Sequence, residues 1–300
     1  MMLDCVIIGG GPAGLSAALV LGRSRRHVTL FDNNQARNKV THESHGFLTR
    51  DGVTPSELRA IARRDLEKYP SVQVKDVAIA QVSKQLDGTF LAFTEQGEAF
   101  RARKIILAAG LKELLPDIPG LREHYGKSLF SCPYCDGWEI RDQPLVVILD
   151  DPHVYHMAMT TSNWSKNLAI CTNGANVLTP EQADKLRSKG FQVFFQRISG
   201  IRGQGGQMRS IVFEDGSEIA RSAGFVGSKL KHATPIAESL GCGLNEKGGI
   251  IVDDLGKSSV EGVFAAGDNA VIMPSQLIIA AAGGSRAAMG VNMALTLEDF

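Results

Sequence analysis

Three hundred residues suggest about two domains at ~150 residues each, and a chain of that length buries roughly three quarters of its unfolded surface without covalent staples, which excludes a disulfide-stapled mini-protein. Thirty-two Lys and Arg balance 32 Asp and Glu, so the zero net charge provides no general attraction to nucleic acid or an anionic membrane. Glycine takes 32 of the 300 positions, above its average share of about 7%, while aromatics reach only 6%, a mix expected where backbone must approach a cofactor closely.

The N-terminal MMLDCVIIGG runs straight into a strand, without a basic stretch and a cleavable apolar segment. No run of about 18 uncharged apolar residues is present, so a soluble, cytoplasmic protein is expected. Residues 4–9 are rich in Val and Ile, residues 13–23 carry small and apolar side chains at helical spacing, and residues 27–31 read as a second strand. Between strand and helix, Gly9-Gly10-Gly11-Pro12-Ala13-Gly14 fits G-x-G-x-x-G. Gly9 allows the tight turn, Gly11 lets backbone approach a pyrophosphate, Gly14 permits close helix packing, and the helix N-terminus offers free N–H groups to the anion. Asp32, at the end of the second strand, is placed to accept a hydrogen bond from a ribose hydroxyl. These features together predict a dinucleotide site.

After a polar loop, Pro55 opens a helix with Leu58, Ile61, Ala62 and Leu66 on one face and Arg and Lys on the other. Residues 72–82 and 90–93 alternate and read as antiparallel strands, and residues 104–109 form a buried strand ending at Gly110. Pro116 and Pro119 mark residues 114–120 as a linker. A second unit follows, with strands at 144–149 and 167–172, a helix at 154–165, and further strands at 193–197 and 207–213, this last pair flanking a turn at 203–206. The strand in Gly262-Val263-Phe264-Ala265-Ala266-Gly267-Asp268 and a small-residue helix at 276–295 belong back with the first unit. The fold class expected is α/β, with two Rossmann-like three-layer domains: a discontinuous one over 1–116 and 248–300, and an inserted one over 117–247.

Five cysteines, an odd number, argue against a structural disulfide framework. Cys132-Pro133-Tyr134-Cys135 instead holds two thiols close enough to form and break a disulfide, and Asp136 adjoins the second. A zinc site would need two further ligands, and no second such pair accompanies it. Cys5, Cys171 and Cys242 read as small buried hydrophobes, and Trp138 as core.

The glycine fingerprint, the strand Ile105-Ile106-Leu107-Ala108-Ala109-Gly110, the run Cys132-Pro133-Tyr134-Cys135-Asp136-Gly137 and the late Gly262-to-Asp268 segment occur in an order that resembles the low-molecular-weight thioredoxin reductases. The resemblance spans essentially the whole chain. It implies a discontinuous FAD domain with an inserted pyridine-nucleotide-like domain, a homodimer, and a flavin exchanging electrons with Cys132 and Cys135. It places Gly9, Gly11, Pro12, Ala13, Gly14, Asp32 and Asn33 at the FAD diphosphate and ribose, Gly267 and Asp268 at the ribityl-phosphate region, and Gln276 and Leu277 beside the flavin ring. Val77, Ala109 and Gly110 complete the implied cofactor set, with Arg37, Asn38 and His45 in a loop that crosses the cofactor. Cys135 would face the flavin, Cys132 the protein substrate, and Asp136 would handle protons.

The chain departs from that pattern where NADPH would bind. Residues 149–153 read Leu-Asp-Asp-Pro-His, with no glycine and two carboxylates where an anionic pyrophosphate should sit, and residues 171–176 lack the cations that would hold a 2′-phosphate. NADPH is therefore not expected to bind. One reading is a reductase of a thioredoxin-like disulfide supplied by another donor, such as ferredoxin, as in the deep-branching cyanobacterial and ferredoxin-dependent members that the chain resembles. The alternative is an oxidase that closes a disulfide in a small dithiol with oxygen as acceptor, since Cys132 through Glu139 and His45-Gly46-Phe47-Leu48 resemble the gliotoxin-type dithiol oxidases. A third reading is a flavin-binding redox sensor. No metal, nucleic acid or membrane partner is expected.

Overall fold

The computed structural model describes residues 2–300. In chain order the first pass runs β1 (Leu3–Ile8), α1 (Pro12–Arg23), β2 (Val28–Phe31), α2 (Pro55–Leu66), β3 (Val72–Lys75), β4 (Ile79–Lys84), β5 (Phe90–Thr94), β6 (Ala99–Leu107) and β7 (Leu111–Leu114). There follow α3 (Leu121–His124), β8 (Leu129–Phe130), α4 (Pro133–Asp136), β9 (Leu145–Ile148), α5 (Val154–Thr161), β10 (Leu168–Cys171), α6 (Pro180–Ser188), β11 (Gln192–Phe194), β12 (Ile198–Gln204), β13 (Gln207–Phe213), β14 (Glu218–Ala220) and β15 (Ala223–Val226). The chain ends with β16 (Lys229–His232), α7 (Ile236–Ser239), β17 (Val263–Ala265) and α8 (Leu277–Asp299).

Two compact units result. One comprises Met1–Lys39, Gly46–Lys112 and Lys231–Phe300, and the other Val40–His45 and Glu113–Leu230. The first unit resumes at Lys231, and Ile236, Ala237 and Cys242 fill its core.

In the first unit the strand order is β3-β2-β1-β6-β5-β4, with β17 also on β6. The strands β3, β2, β1, β6 and β17 run parallel, while β4 and β5 are antiparallel. Residues 72–82 are therefore not one antiparallel arm, since Val72 to Lys75 pair in parallel with Val28 to Phe31. Alternation of side chains along β1 explains the two layers. Cys5 and Ile7 point into a core shared with α1 and α8, and Val6 and Ile8 into one shared with Phe90, Ala92 and Ile236. Among the described residues α8 alone is long and apolar enough to cross a membrane by length and composition. In this unit its Ala287, Ala288 and Val291 pack into the core beside Ala13, Ala17 and Ala18 of α1.

In the second unit β11-β10-β9-β15-β8 form a parallel sheet, and β12-β13-β14 an antiparallel one. Val146 and Ile148 face Ile198, Ile211 and Phe213, whereas Leu145 and Val147 face Val154, Ala158 and Leu186. The turn at 203–206 joins β12 to β13, so the partner of residues 207–213 is 198–204, not 193–197. Capping sets the helix starts. Thr54 Oγ1 accepts from Glu57 N at 3.1 Å before α2, and Thr179 with Gln182 forms a capping box before α6.

Candidate active site

The β1–α1 turn is built to leave room for a ligand. Gly9 has φ +115°, and a Cβ on Gly14 would stand 1.8 Å from the Gly9 carbonyl oxygen, so neither position tolerates a side chain. A Cβ on Gly11 would meet no atom within 4 Å, and Gly11 caps α1 with extended backbone and no side-chain bond to the first-turn N–H groups. Pro12 occupies the first turn, where its missing N–H costs nothing. The residues present thus fit a pyrophosphate against the α1 N-terminus.

Asp32 follows β2 and is 6% exposed. Its carboxylate accepts from Arg63 at 2.9 Å, from Arg59, and from Asn34 N at 3.1 Å. Arg63 also reaches Asp76 at 2.7 Å, and Arg59 reaches Asn34 at 2.7 Å. Neither arginine was singled out from the sequence, where this face of α2 reads only as one that carries Arg and Lys. Their spacing of four residues on a helix was the available signal.

Other predicted residues join this group inside the first unit. Arg37 donates to Asp268 at 2.9 Å and to Ser275. Asn33 Oδ1 accepts from Gln35 N at 3.0 Å, Asn38 lies in the short helical turn Arg37–Val40, and Val77 packs with Ala109 at the core around Phe31. Gln276 caps α8 and Leu277 begins it. Gly110 N donates to Asn269 Oδ1 at 2.7 Å, Asn269 Nδ2 donates to His232 Nδ1 at 2.9 Å, and His232 Nε2 donates to the Gly248 carbonyl at 2.7 Å. That relay fixes the tautomer of His232 and ties three distant segments together. Neither Asn269 nor His232 was singled out from sequence, where no spacing links them.

Cys132 and Cys135 are joined in a disulfide with Cα atoms 5.3 Å apart. Cys132 caps the short α4 turn, and its carbonyl accepts from Cys135 N at 3.1 Å and Asp136 N at 3.2 Å. A Cβ on Gly137 would stand 2.8 Å from the Trp164 ring, which explains the glycine after the motif. Tyr134 meets Trp164 edge-on at 5.6 Å. Trp138 is 65% exposed and carries Arg141 over its ring at 3.9 Å, which corrects its reading as core. Burial, reinforced by the nearby charge of Glu139, pushes the Asp136 carboxyl up from 3.8 to about 7, with His45 acting in the opposite sense and Glu113 in the same sense as Glu139. His45 belongs to the Val40–His45 segment of this second unit, and its Nε2 lies 3.5 Å from Glu139. The structure therefore groups His45 with the dithiol, apart from Arg37 and Asn38. Cys5, Cys171 and Cys242 are buried, and burial raises all three thiols, Cys171 to about 12.

Residues 149–153 link β9 to α5. Asp151 accepts from His153 N at 2.9 Å and from the His153 ring, and the backbone N–H holds its carboxyl below the ordinary value. An ionised carboxylate thus stands before α5. After β10, Asn173 Oδ1 accepts from Ile198 N at 3.0 Å, and the stem of Arg197 crosses Gly174, where a Cβ would stand 2.5 Å from it. Sequence reading found no cation here; the fold brings one, Arg197, from a later segment.

Comparison with known proteins places these features in context. A family model described as pyridine nucleotide-disulphide oxidoreductase matches residues 3–285. The chain is 32% identical to a "Probable thioredoxin reductase" of Arthroderma benhamiae, covering 98% of this chain and 81% of the relative. It is 30% identical to thioredoxin reductase aclD of Aspergillus oryzae over 99% of this chain and 98% of that one. Among solved structures, TrxB from Bacillus anthracis is 43% identical with a TM-score of 0.96, over 99% of this chain and 100% of that one.

Proposed function

Because the chain belongs to the pyridine nucleotide-disulphide oxidoreductase family and is a thioredoxin reductase-like enzyme, we propose that it exchanges electrons between FAD and the Cys132–Cys135 pair with a donor other than NADPH. The observation that carries the choice of donor is the Asp151 carboxylate, held ionised at the start of α5 where a second fingerprint would present amides. FAD, which the family implies, supplies the two-electron chemistry when bound.

The chain's own residues then divide the work. First-turn N–H groups of α1 would hold the FAD diphosphate beside Gly11, and Asp32, whose carboxylate accepts from Arg59 and Arg63, would accept from the ribose hydroxyls. Arg37 ties Asp268 in place. In the second unit a substrate thiolate attacks one sulfur of the Cys132–Cys135 disulfide, or in reverse a reduced cysteine attacks a substrate disulfide. Asp136, protonated up to about pH 7, gives its proton to the departing thiolate.

In the favoured direction the substrate is a thioredoxin-like protein disulfide, and the enzyme is a cytoplasmic homodimer. A mixed disulfide with thioredoxin in a Cys135→Ser variant is the expected product. Failure to trap any thioredoxin, under conditions where dithiothreitol reacts, would count against it. A second reading is favoured by one observation: His45, which opens one of the two segments resembling gliotoxin-type oxidases, lies 3.5 Å from Glu139, which closes the other. In that reading the pair closes a disulfide in a small dithiol and oxygen accepts the electrons. Hydrogen peroxide released on adding dithiothreitol alone distinguishes it.

A further inference from the structure

Four carboxylates and one imidazole gather around the dithiol helix. Asp136 closes α4, Glu139 follows one turn later, and Glu113 lies on β7, where it accepts from the Tyr125 hydroxyl. Glu43 and His45 come from the Val40–His45 segment. His45 Nε2 lies 3.5 Å from Glu139 Oε1 and 3.6 Å from Glu43 Oε2, and its side chain is 16% exposed against 37% and 55% for the two acids. The ring is therefore held between two carboxylates that reach solvent, one of them Glu139, three residues past Asp136 on the turn that carries the dithiol. Glu139 and Glu113 oppose ionisation of Asp136, and His45 favours it.

We propose that His45, through the charge it carries when protonated, is a positioning residue that sets the pH at which Asp136 exchanges its proton with the dithiol. The proposal rests on reading Cys132 and Cys135 as the redox pair. With a small dithiol as reactant, one substrate thiol first loses its proton to water. The thiolate attacks one sulfur, a new S–S bond forms as the Cys132–Cys135 bond breaks, and the departing electron pair on the other sulfur takes the proton of Asp136. The Asp136 carboxylate next removes the proton of the second substrate thiol. That thiolate attacks the mixed disulfide, and the second cysteine leaves as a thiolate that takes a proton from water. The substrate dithiol is oxidised to its disulfide, the cysteine pair is reduced, and Asp136 ends as it began. The first transfer needs Asp136 protonated, so the charge on His45 sets the upper pH limit of the reaction.

The test follows the Asp136 carboxyl carbon by NMR in the full-length protein labelled at aspartate Cγ, the signal being assigned by its loss in Asp136→Asn. The opening of the disulfide by dithiothreitol is followed over the same pH range. His45→Gln is expected to move the inflection to higher pH by about half a pH unit or more, and Glu139→Gln to move it lower. His45→Lys, which keeps the charge, should restore the parental position. An inflection unchanged or lowered in His45→Gln, or equal in the Gln and Lys variants, overturns the proposal. If the carboxyl shifts as stated but dithiothreitol never opens the parental disulfide, the redox reading falls and the charge assignment stands. If the disulfide opens normally and His45→Gln titrates as the parent does, the assignment falls and the reading stands.

Discussion

Replacing Asp136 by Asn should stabilise the protein at alkaline pH while slowing its chemistry. Burial raises this carboxyl from 3.8 to about 7, so the folded chain keeps a proton that the unfolded chain has already released. Between those values the folded state binds more protons, and stability falls as pH rises from about 4 to about 7, then stays reduced above it. A difference of about three pH units is at most about 4 kcal/mol, and solvent screening of a half-buried group brings that to about 2 kcal/mol. The amide cannot ionise and escapes the loss. Asp136→Asn should therefore melt about 3 °C higher than the parent at pH 8, with the gap closing toward pH 4. Melting temperatures of both proteins, oxidised, across that range provide the assay. The same variant should slow exchange with dithiothreitol at pH 7 by roughly 10²-fold or more. A melting difference that is constant with pH, or a variant less stable at pH 8, would refute the placement of Asp136 in a desolvated, acid-lined site.

Three further outcomes are expected. Removing both Arg59 and Arg63 leaves the Asp32 charge buried and unpaired, at a cost of about 3–5 kcal/mol by denaturant unfolding, most of it recovered by adding Asp32→Asn. Gly14→Ala drives a Cβ to within 1.8 Å of the Gly9 carbonyl, so the purified variant should lose bound flavin absorbance and at least ~2 kcal/mol of stability. Trp138→Ala should change stability by no more than about 0.5 kcal/mol, because the ring is 65% exposed, while slowing reaction with thioredoxin more than with dithiothreitol.

What was legible in the sequence was whatever short-range pattern determines. The β1-α1-β2 unit, the helix behind Pro55 and the dithiol turn depend on continuous apolar runs, a proline at a first turn and a three-residue spacing. Residues 72–75 were misassigned in direction because alternation is the same for a parallel and an antiparallel strand, and only β2 as partner decides it. The strand at 198–204 is rich in Gly, Ser, Arg and Gln, and the Pro119 carbonyl that accepts from Ile201 N is far from it in sequence. Arg197 beside Gly174, His232 beside Asn269 and His45 beside Glu139 are contacts across 23, 37 and 94 residues, which no local periodicity encodes. Trp138 was read as core, yet in the turn that follows α4 its ring is exposed, and the ring packed against Gly137 is that of Trp164.

The central claim is that flavin and dithiol communicate without NADPH as donor. A carboxylate about 5 Å from a pyrophosphate charge costs about 3 kcal/mol at a surface dielectric of about 20, roughly two orders of magnitude in affinity. The direct measurement is an anaerobic titration of the purified yellow protein with NADPH and with dithiothreitol in parallel, following flavin absorbance. Bleaching by dithiothreitol, with NADPH half-saturating no tighter than about 1 mM, is the predicted result. Rapid bleaching by micromolar NADPH would contradict the account.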